Sequence, residues 1–375
     1  MSGHCTSLAM LGNLIMFMPA RLLTVLFLVS WMLGLGGCAT STQQVVFPGT
    51  QWQHASAEAM GLNAGKVQQA MAALKDICSD LGNSRAILIY KGRIVWQGSD
   101  VQTQTAIWSS TKSYMSTCLG LLWDDGLCTP QTKLADVCPE YASQYPDVTL
   151  EHLATFTSGY DHLKGDAFTP AAPMYAPGTA MHYSSQSDVL AYALTRIAGR
   201  PLNDLFMERI GRPIGMDPAQ MQWKDFGTKH DLLINGGSGY PDSGLHMNAL
   251  QMARFGWLYA CNGKWGGKQL ISQRYIDYAT HPRVPSDMPP YQANGWYTVL
   301  PGCYGLNWWV NGIEHNGNRK WPSAPARTFA AQGNRNNICI ILPDWQMVLV
   351  RLGGDKVISI NEYDKVLKLL GESLQ

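Results

Sequence analysis

Ser109, Ser110, Thr111 and Lys112 form a Ser-x-x-Lys at the head of a segment with helical apolar spacing, and it is the only such spacing in the chain. On a helix, positions i and i+3 share a face, so the Lys amine can reach the Ser hydroxyl. A helix N-terminus adds positive potential, which favours negative charge developing on a carbonyl oxygen attacked there. The chemistry would be acyl transfer, with Ser109 as nucleophile and Lys112 as its base. A free Lys has a pKa of about 10.4, so that role near neutrality requires burial or cationic neighbours. Taken alone, a Ser cap followed by a solvated Lys is the plainer reading of the spacing.

These residues need a scaffold, and the pattern supplies one. Asn63 to Ser79 has helical apolar spacing with Asn63 as a cap. Two β-rich runs, Ala86 to Tyr90 and Ile94 to Trp96, flank Lys91-Gly92-Arg93 and predict a hairpin. The segment Ser109 to Asp125 then reads as a helix ended by Gly126. From about Leu150 to Tyr278 helical patterns and Gly/Pro loops dominate, clearest at Gln186 to Ala198 and Ala249 to Cys261. Strand patterns return at Tyr304 to Val310, Thr328 to Ala331, Ile338 to Leu342 and Met347 to Leu352, before a helix from Glu362 to Leu370. Strands at both ends with helices between predict an α+β fold: an antiparallel sheet flanked by helices, with an inserted helical subdomain.

Composition limits the alternatives. Of 375 residues, 46% are hydrophobic and 15% charged, so the chain can bury a large core and is not a charge-rich disordered protein. With net charge +1 and no long basic run, nucleic acid is not an expected partner. There is no Cys-x-x-Cys and no His/Cys cluster with metal spacing, so neither a metal nor a cofactor is expected.

Arg21, the apolar run Leu22 to Leu35 and the small residues before Cys38 describe a secretory signal. A membrane-spanning helix is the competing reading, although spanning usually takes about 20 apolar residues. The Leu35-Gly36-Gly37-Cys38 end resembles the lipobox of bacterial lipoproteins, which implies acylation of Cys38 and a membrane held through that lipid. Ala39 after it points to the outer membrane, facing the periplasm. The expected organisation is a signal over 1–38, a linker over 39–56 and a catalytic domain over 57–375. Within that domain, 57–115 and 290–375 form the α/β part and 116–289 the helical part. Setting Cys5 and Cys38 aside leaves seven Cys, an odd number. Cys128 and Cys138, flanking a short loop, make the expected pair, and the others read as small buried apolar residues.

Beyond the Ser-x-x-Lys, the segment Trp108 to Tyr114 resembles that of the β-lactamase-related serine hydrolases. This family includes class C β-lactamases, D-alanyl-D-alanine carboxypeptidases, family VIII esterases and aminohexanoate-oligomer hydrolases. Val148 to Gly159 resembles the family's loop, with Phe156 where a His is usual, and Pro177 to Ser185 resembles the segment of its Tyr-x-Asn. Asp242 to His246, Met252 to Gly256 and Tyr304 to Trp309 follow in order, so the resemblance runs from about residue 50 to 370. It implies a β-lactamase/transpeptidase-like fold. It also implies Ser109 as the acylated nucleophile, Lys112 as activator and Tyr183 as general base or acid. Ser185 stands where the family has Asn, which puts its role in doubt because a hydroxyl lacks the amide fork.

The family's third element, Lys-Thr-Gly or His-x-Gly, reads Ala331-Gln332-Gly333 here. Gly333 lets substrate approach the backbone, and the Asn334 N–H would complete an oxyanion hole with that of Ser109. The cation is gone, so a substrate carboxylate loses a contact worth about 1.5–3 kcal/mol. Arg327 and Arg335 are the nearest replacements in sequence, with solvated surface positions as the plainer reading of each. His315-Asn316-Gly317 matches His-x-Gly literally but falls in the preceding loop and reads as a coincidence. The resemblance thus implies a hydrolase acting on an ester, small amide or peptide, leaning toward esters and amides. Two alternatives stay open: a β-lactamase or D-Ala-D-Ala carboxypeptidase on the same fold, and a non-catalytic binding lipoprotein derived from such an enzyme.

Overall fold

A computed structural model describes residues 45–78, 81–291, 301–354 and 359–374. The signal and Cys38 lie outside the described residues. Among those residues no helix is long and apolar enough to cross a membrane.

Residues Gln43–Gln375 form one compact unit built on a six-stranded antiparallel sheet. Its strands are β1 (Ala86–Tyr90), β2 (Arg93–Gln97), β3 (Trp309–Val310), β4 (Phe329–Gly333), β5 (Asn337–Leu342) and β6 (Met347–Arg351), in the spatial order β3-β4-β5-β6-β1-β2. The two chain ends meet where β1 pairs with β6, Ile87 opposite Val350, as the strand pattern predicts. The β1–β2 hairpin turns on Lys91 and Gly92 at φ 48° and 82°. Such left-handed pairs match the strand twist.

Period-two alternation divides the strands between two cores. Ile87, Ile89, Cys339, Ile341, Val348 and Val350 point to one face. Leu88, Ile338, Ile340, Leu342 and Leu349 point to the other. The second face is covered by α1 (Ala64–Ile77) and the C-terminal helix Asp364–Glu372. Asn63 caps α1, its Oδ1 accepting from the Lys66 N–H at 3.1 Å. The first face packs α2 (Thr111–Asp124), α3 (Gln186–Ala198) and α4 (Ala249–Ala260). At Gly256 a Cβ would lie 2.6 Å from Cys339 Sγ, so glycine there allows α4 to lie against the sheet.

Several expectations need correction. Beside its helices the inserted region carries short strands: Met221–Trp223 and Leu245–Met247 form a small sheet with Thr105–Ala106, and Asp225–Lys229 pairs with Leu232–Asn235. The expected strand Tyr304 to Val310 is mostly a buried turn. Asn307 is left-handed at φ 58°, and its amide donates to the Ala154 carbonyl at 2.9 Å. The described end of the expected linker is docked. The Val46 N–H donates to Lys91 O at 3.2 Å, Trp257 Nε1 to Val46 O at 2.9 Å, and Arg254 to Thr50 O at 2.9 Å. Buried polar groups on α4 thus need this segment's carbonyls as partners.

Cys128 and Cys138 form no disulfide. Both sit in the apolar core, where burial pushes each thiol up to about 12. They serve as small apolar side chains, the role expected of the other cysteines.

Candidate active site

The geometry begins with α2, whose residues Thr111 to Leu122 are all buried. A helix buried on every side belongs in the core, and each of its hydroxyls then needs a partner. Ser113 Oγ donates to Asn307 O at 2.8 Å, Thr117 pairs with Tyr259 at 2.8 Å, and Ser116 with Tyr275 at 2.7 Å. These bonds fix the helix in rotation and translation.

Ser109 is placed two residues before α2, in a 3₁₀ turn over Trp108–Ser110. Trp108 enters that turn at φ 52°, a strained conformation for a bulky residue, of a kind found chiefly where surrounding structure enforces it. The enforcing element is the Gly236–Gly239 loop: a Cβ at Gly239 would lie 2.2 Å from Trp108 O.

Lys112 is 2% exposed. Its Nζ lies 2.9 Å from Ser109 Oγ and donates to the Ser238 carbonyl. Burial lowers its pKa to about 7, while the charge of Asp188 pulls it the other way. Tyr183 is half-buried, its ring centroid 4.9 Å from Lys112 Nζ. Phe156, the residue replacing the family's His, is fully buried at φ 62° and packs on Tyr183 with centroids 4.2 Å apart.

Ser109, Lys112, Tyr183, Ser185, Gly333 and Asn334, the six site residues expected from sequence within the described chain, line one cavity of about 730 Å³. Gly333 fits the space over the nucleophile closely. A Cβ there would lie 2.1 Å from Ile107 O and 3.0 Å from the amide nitrogens of Ser109 and Ser110. Asn334 begins the β4–β5 turn, which is tied from below: Asn337 Nδ2 donates to Asn334 O at 2.7 Å, and Ser110 Oγ donates to Asn337 O at 3.3 Å. Ser185 lines the cavity, but the acceptor that holds Lys112 opposite Ser109 is the Ser238 carbonyl.

Among the described residues, the cation of the third motif has no Lys or Arg substitute in the wall. Ala331 is fully buried in the core. Among the described residues, Lys112 is the sole Lys or Arg in the lining. Arg327 is engaged with Asp344 and Asn262, at 3.5 and 3.2 Å. Arg335 donates to Gly354 O at 3.0 Å beside the Trp108 ring. His315 contacts Ser286 O at 3.0 Å, outside the lining, in keeping with its reading as a coincidence. Trp308 and Trp223 belong to the core. Trp309 and Tyr240 stand in the wall instead.

Sequence reasoning missed the Gly237–Ser238 segment and Asp188. Asp188 Oδ1 accepts from the Gly237 and Ser238 N–H groups at 2.9 and 2.8 Å, and Oδ2 from Ser238 Oγ. The Gly236-Gly237-Ser238-Gly239 run was the available signal, since glycines mark close backbone approach. Among the described residues no cluster of His, Cys, Asp or Glu could hold a metal ion.

Comparison with known proteins gives a consistent picture. The Beta-lactamase family profile matches residues 82–353. No curated protein sequence matches the chain. Among solved structures, it is similar to a family VIII carboxylesterase at 19% identity and TM-score 0.60, covering 85% of this chain and 98% of that one. A penicillin-binding protein homolog from Caulobacter crescentus aligns at 18% identity and TM-score 0.61, covering 81% and 96%. EstCE1, a hydrolase with promiscuous acyltransferase activity, aligns at 15% identity and TM-score 0.61, covering 82% and 99%. At these identities the structural likeness establishes the β-lactamase/transpeptidase-like fold.

Proposed function

Because the chain belongs to the Beta-lactamase family of serine hydrolases, we propose that it hydrolyses uncharged esters or small amides through a Ser109 acyl-enzyme. The contact of 2.9 Å between a buried Lys112 amine and the Ser109 hydroxyl carries this reading. With its pKa at about 7, Lys112 is substantially neutral at physiological pH. One of its N–H bonds goes to Ser238 O, which leaves the lone pair free to take the Ser109 proton.

Ser109 Oγ then attacks the substrate carbonyl, and the Ser109 and Asn334 N–H groups stabilise the oxyanion. The proton passes by way of Lys112 and Tyr183 to the leaving alkoxide or amine. Water, deprotonated by the same pair, attacks the acyl-enzyme and releases Ser109 with the acid product.

Preference for an uncharged substrate is supported by the wall opposite the nucleophile. Among the described residues no cation of that wall meets a carboxylate, whereas Gln332 presents a buried Oε1 with no hydrogen-bond partner among them. A substrate N–H or O–H would satisfy that acceptor. The test uses protein lacking residues 1–38, assayed with a short-chain nitrophenyl ester and with a chromogenic cephalosporin. Faster turnover of the ester, lost in Ser109→Ala, is expected. Faster turnover of the cephalosporin would favour a β-lactamase, and absence of acylation by any activated ester a binding protein.

We further propose that the chain is exported and lipid-anchored through Cys38 at the outer membrane, on the strength of Arg21, the apolar run 22–35 and the small residues before Cys38. Metabolic labelling with a fatty acid, abolished in Cys38→Ser, is the expected result. Labelling that survives this substitution would remove the anchor from the proposal.

A further inference from the structure

Among the described residues, Asp188 is the carboxylate whose charge acts on Lys112, and no ion pair joins the two. It sits in the first turn of α3. Its acceptors are filled by dipoles: two N–H groups on Oδ1 and the Ser238 hydroxyl on Oδ2. All three donors belong to Gly237 and Ser238, and the Ser238 carbonyl receives Lys112 Nζ. Carboxylate and amine are therefore bridged through a single residue.

We propose that Asp188 is the positioning residue of this site: it holds the Gly237–Ser238 segment so that the Ser238 carbonyl anchors Lys112 against Ser109, and its charge fixes the pH at which the amine becomes a base. This rests on the reading of Ser109 and Lys112 given above. Gly237 packs closely on α3, since a Cβ there would lie 2.1 Å from Ser187 O. A direct contact would keep Lys112 protonated and useless as a base. No partner at all would let burial drive its pKa below the physiological range. A bridged carboxylate gives an intermediate result.

Among the described residues, the groups facing the pair are few. Lys112 meets Ser109 on its own turn, the neutral Ser238 carbonyl and the Tyr183 ring. Asp188 faces Lys112 and the buried Tyr160, whose hydroxyl burial raises far above the working range. Burial raises the Asp188 carboxyl above the usual carboxylate range, while the Ser238 and Gly237 donors and the charge of Lys112 hold it down; Lys112 is the group that titrates at about 7.

The test is kcat/KM against pH for wild type, Asp188→Asn and Asp188→Ser, after thermal melts confirm folding. Asp188→Asn keeps an acceptor for both N–H groups and removes the charge. Its acid limb should move to lower pH by about one unit, with the plateau lowered less than in Asp188→Ser, which also frees the loop. A limb that stays in place while the plateau falls would reduce Asp188 to a structural role and overturn the proposal.

In wild type, the ¹³C shift of the Asp188 carboxyl carbon should move at the pH where Lys112 titrates. A flat trace overturns the coupling without any variant. If wild-type turnover proves independent of Ser109, the functional reading fails. If it depends on Ser109 and Lys112 but the limb ignores Asp188, only this inference fails.

Discussion

The cavity has two walls of unlike construction. On the α2 side, Lys112, Ser113, Ser116 and Thr117 each have defined polar partners in the interior. On the β4 side, the backbone approaches just as closely at Gly333, but the side chains are the neutral Gln332 and the exposed Asn334. The difference shows where sequence can drift. A nucleophile and base must be held within a few tenths of an ångström, which takes a dense set of buried bonds. Recognition of the rest of a substrate is carried by individual side chains that can change without disturbing the scaffold.

The sharpest way to break this comparison is at the nucleophile. Ser109→Ala should lower kcat/KM for a nitrophenyl ester on the order of 10⁴-fold and abolish labelling by a serine-directed probe. Next comes the backbone of the β4 wall: Gly333→Ala should cost about 10²- to 10³-fold in kcat. It should also lower the melting temperature, because its Cβ collides with Ile107 O. An active, stable Gly333→Ala would show that this wall does not border the reacting carbonyl.

The pH profile comes third. Lys112 acts only when neutral and its pKa is about 7. Below that value, kcat/KM should therefore fall about tenfold per pH unit, with a plateau above it. A profile flat down to pH 5 would exclude Lys112 as the base. The smallest effect expected is Gln332→Lys, which restores a cation to the β4 wall. It should improve kcat/KM for a carboxylate-bearing ester about tenfold, by adding a charge-assisted bond, and leave neutral esters little changed. Equal gains for both would mean that Gln332 does not discriminate charge.

Legibility in the sequence followed the range of the interactions. The β1–β2 hairpin and α1 with its Asn63 cap were readable because turn, cap and apolar period are local signals. The stretch Tyr304 to Trp308 was misread as strand: its alternating apolar residues Tyr304, Leu306 and Trp308 are buried by a turn that depends on Asn307 reaching Ala154, 153 residues away. The Cys128–Cys138 pair was wrongly expected because proximity in sequence says nothing about which way two thiols face in a core. The docked segment around Val46 looked like a linker because its partners, Arg254 and Trp257, lie on α4.

The site divides the same way. Ser109 and Lys112 are one helical turn apart, so the sequence alone determined that they could meet. Tyr183, Gly333 and Asn334 were found through ordered resemblance, which the spacing of residues by itself could not supply. Asp188 and Ser238 were invisible. The bond between them spans 50 residues, and the one from Lys112 to Ser238 spans 126. Burial of Lys112, which brings its pKa to about 7, exists only once α2 is enclosed on every side. The sequence thus determined which groups could react, and the tertiary structure decided that the amine is desolvated, anchored and within reach of a carboxylate's field. Desolvation and electrostatic field belong to everything packed around a group, and chain order does not contain them.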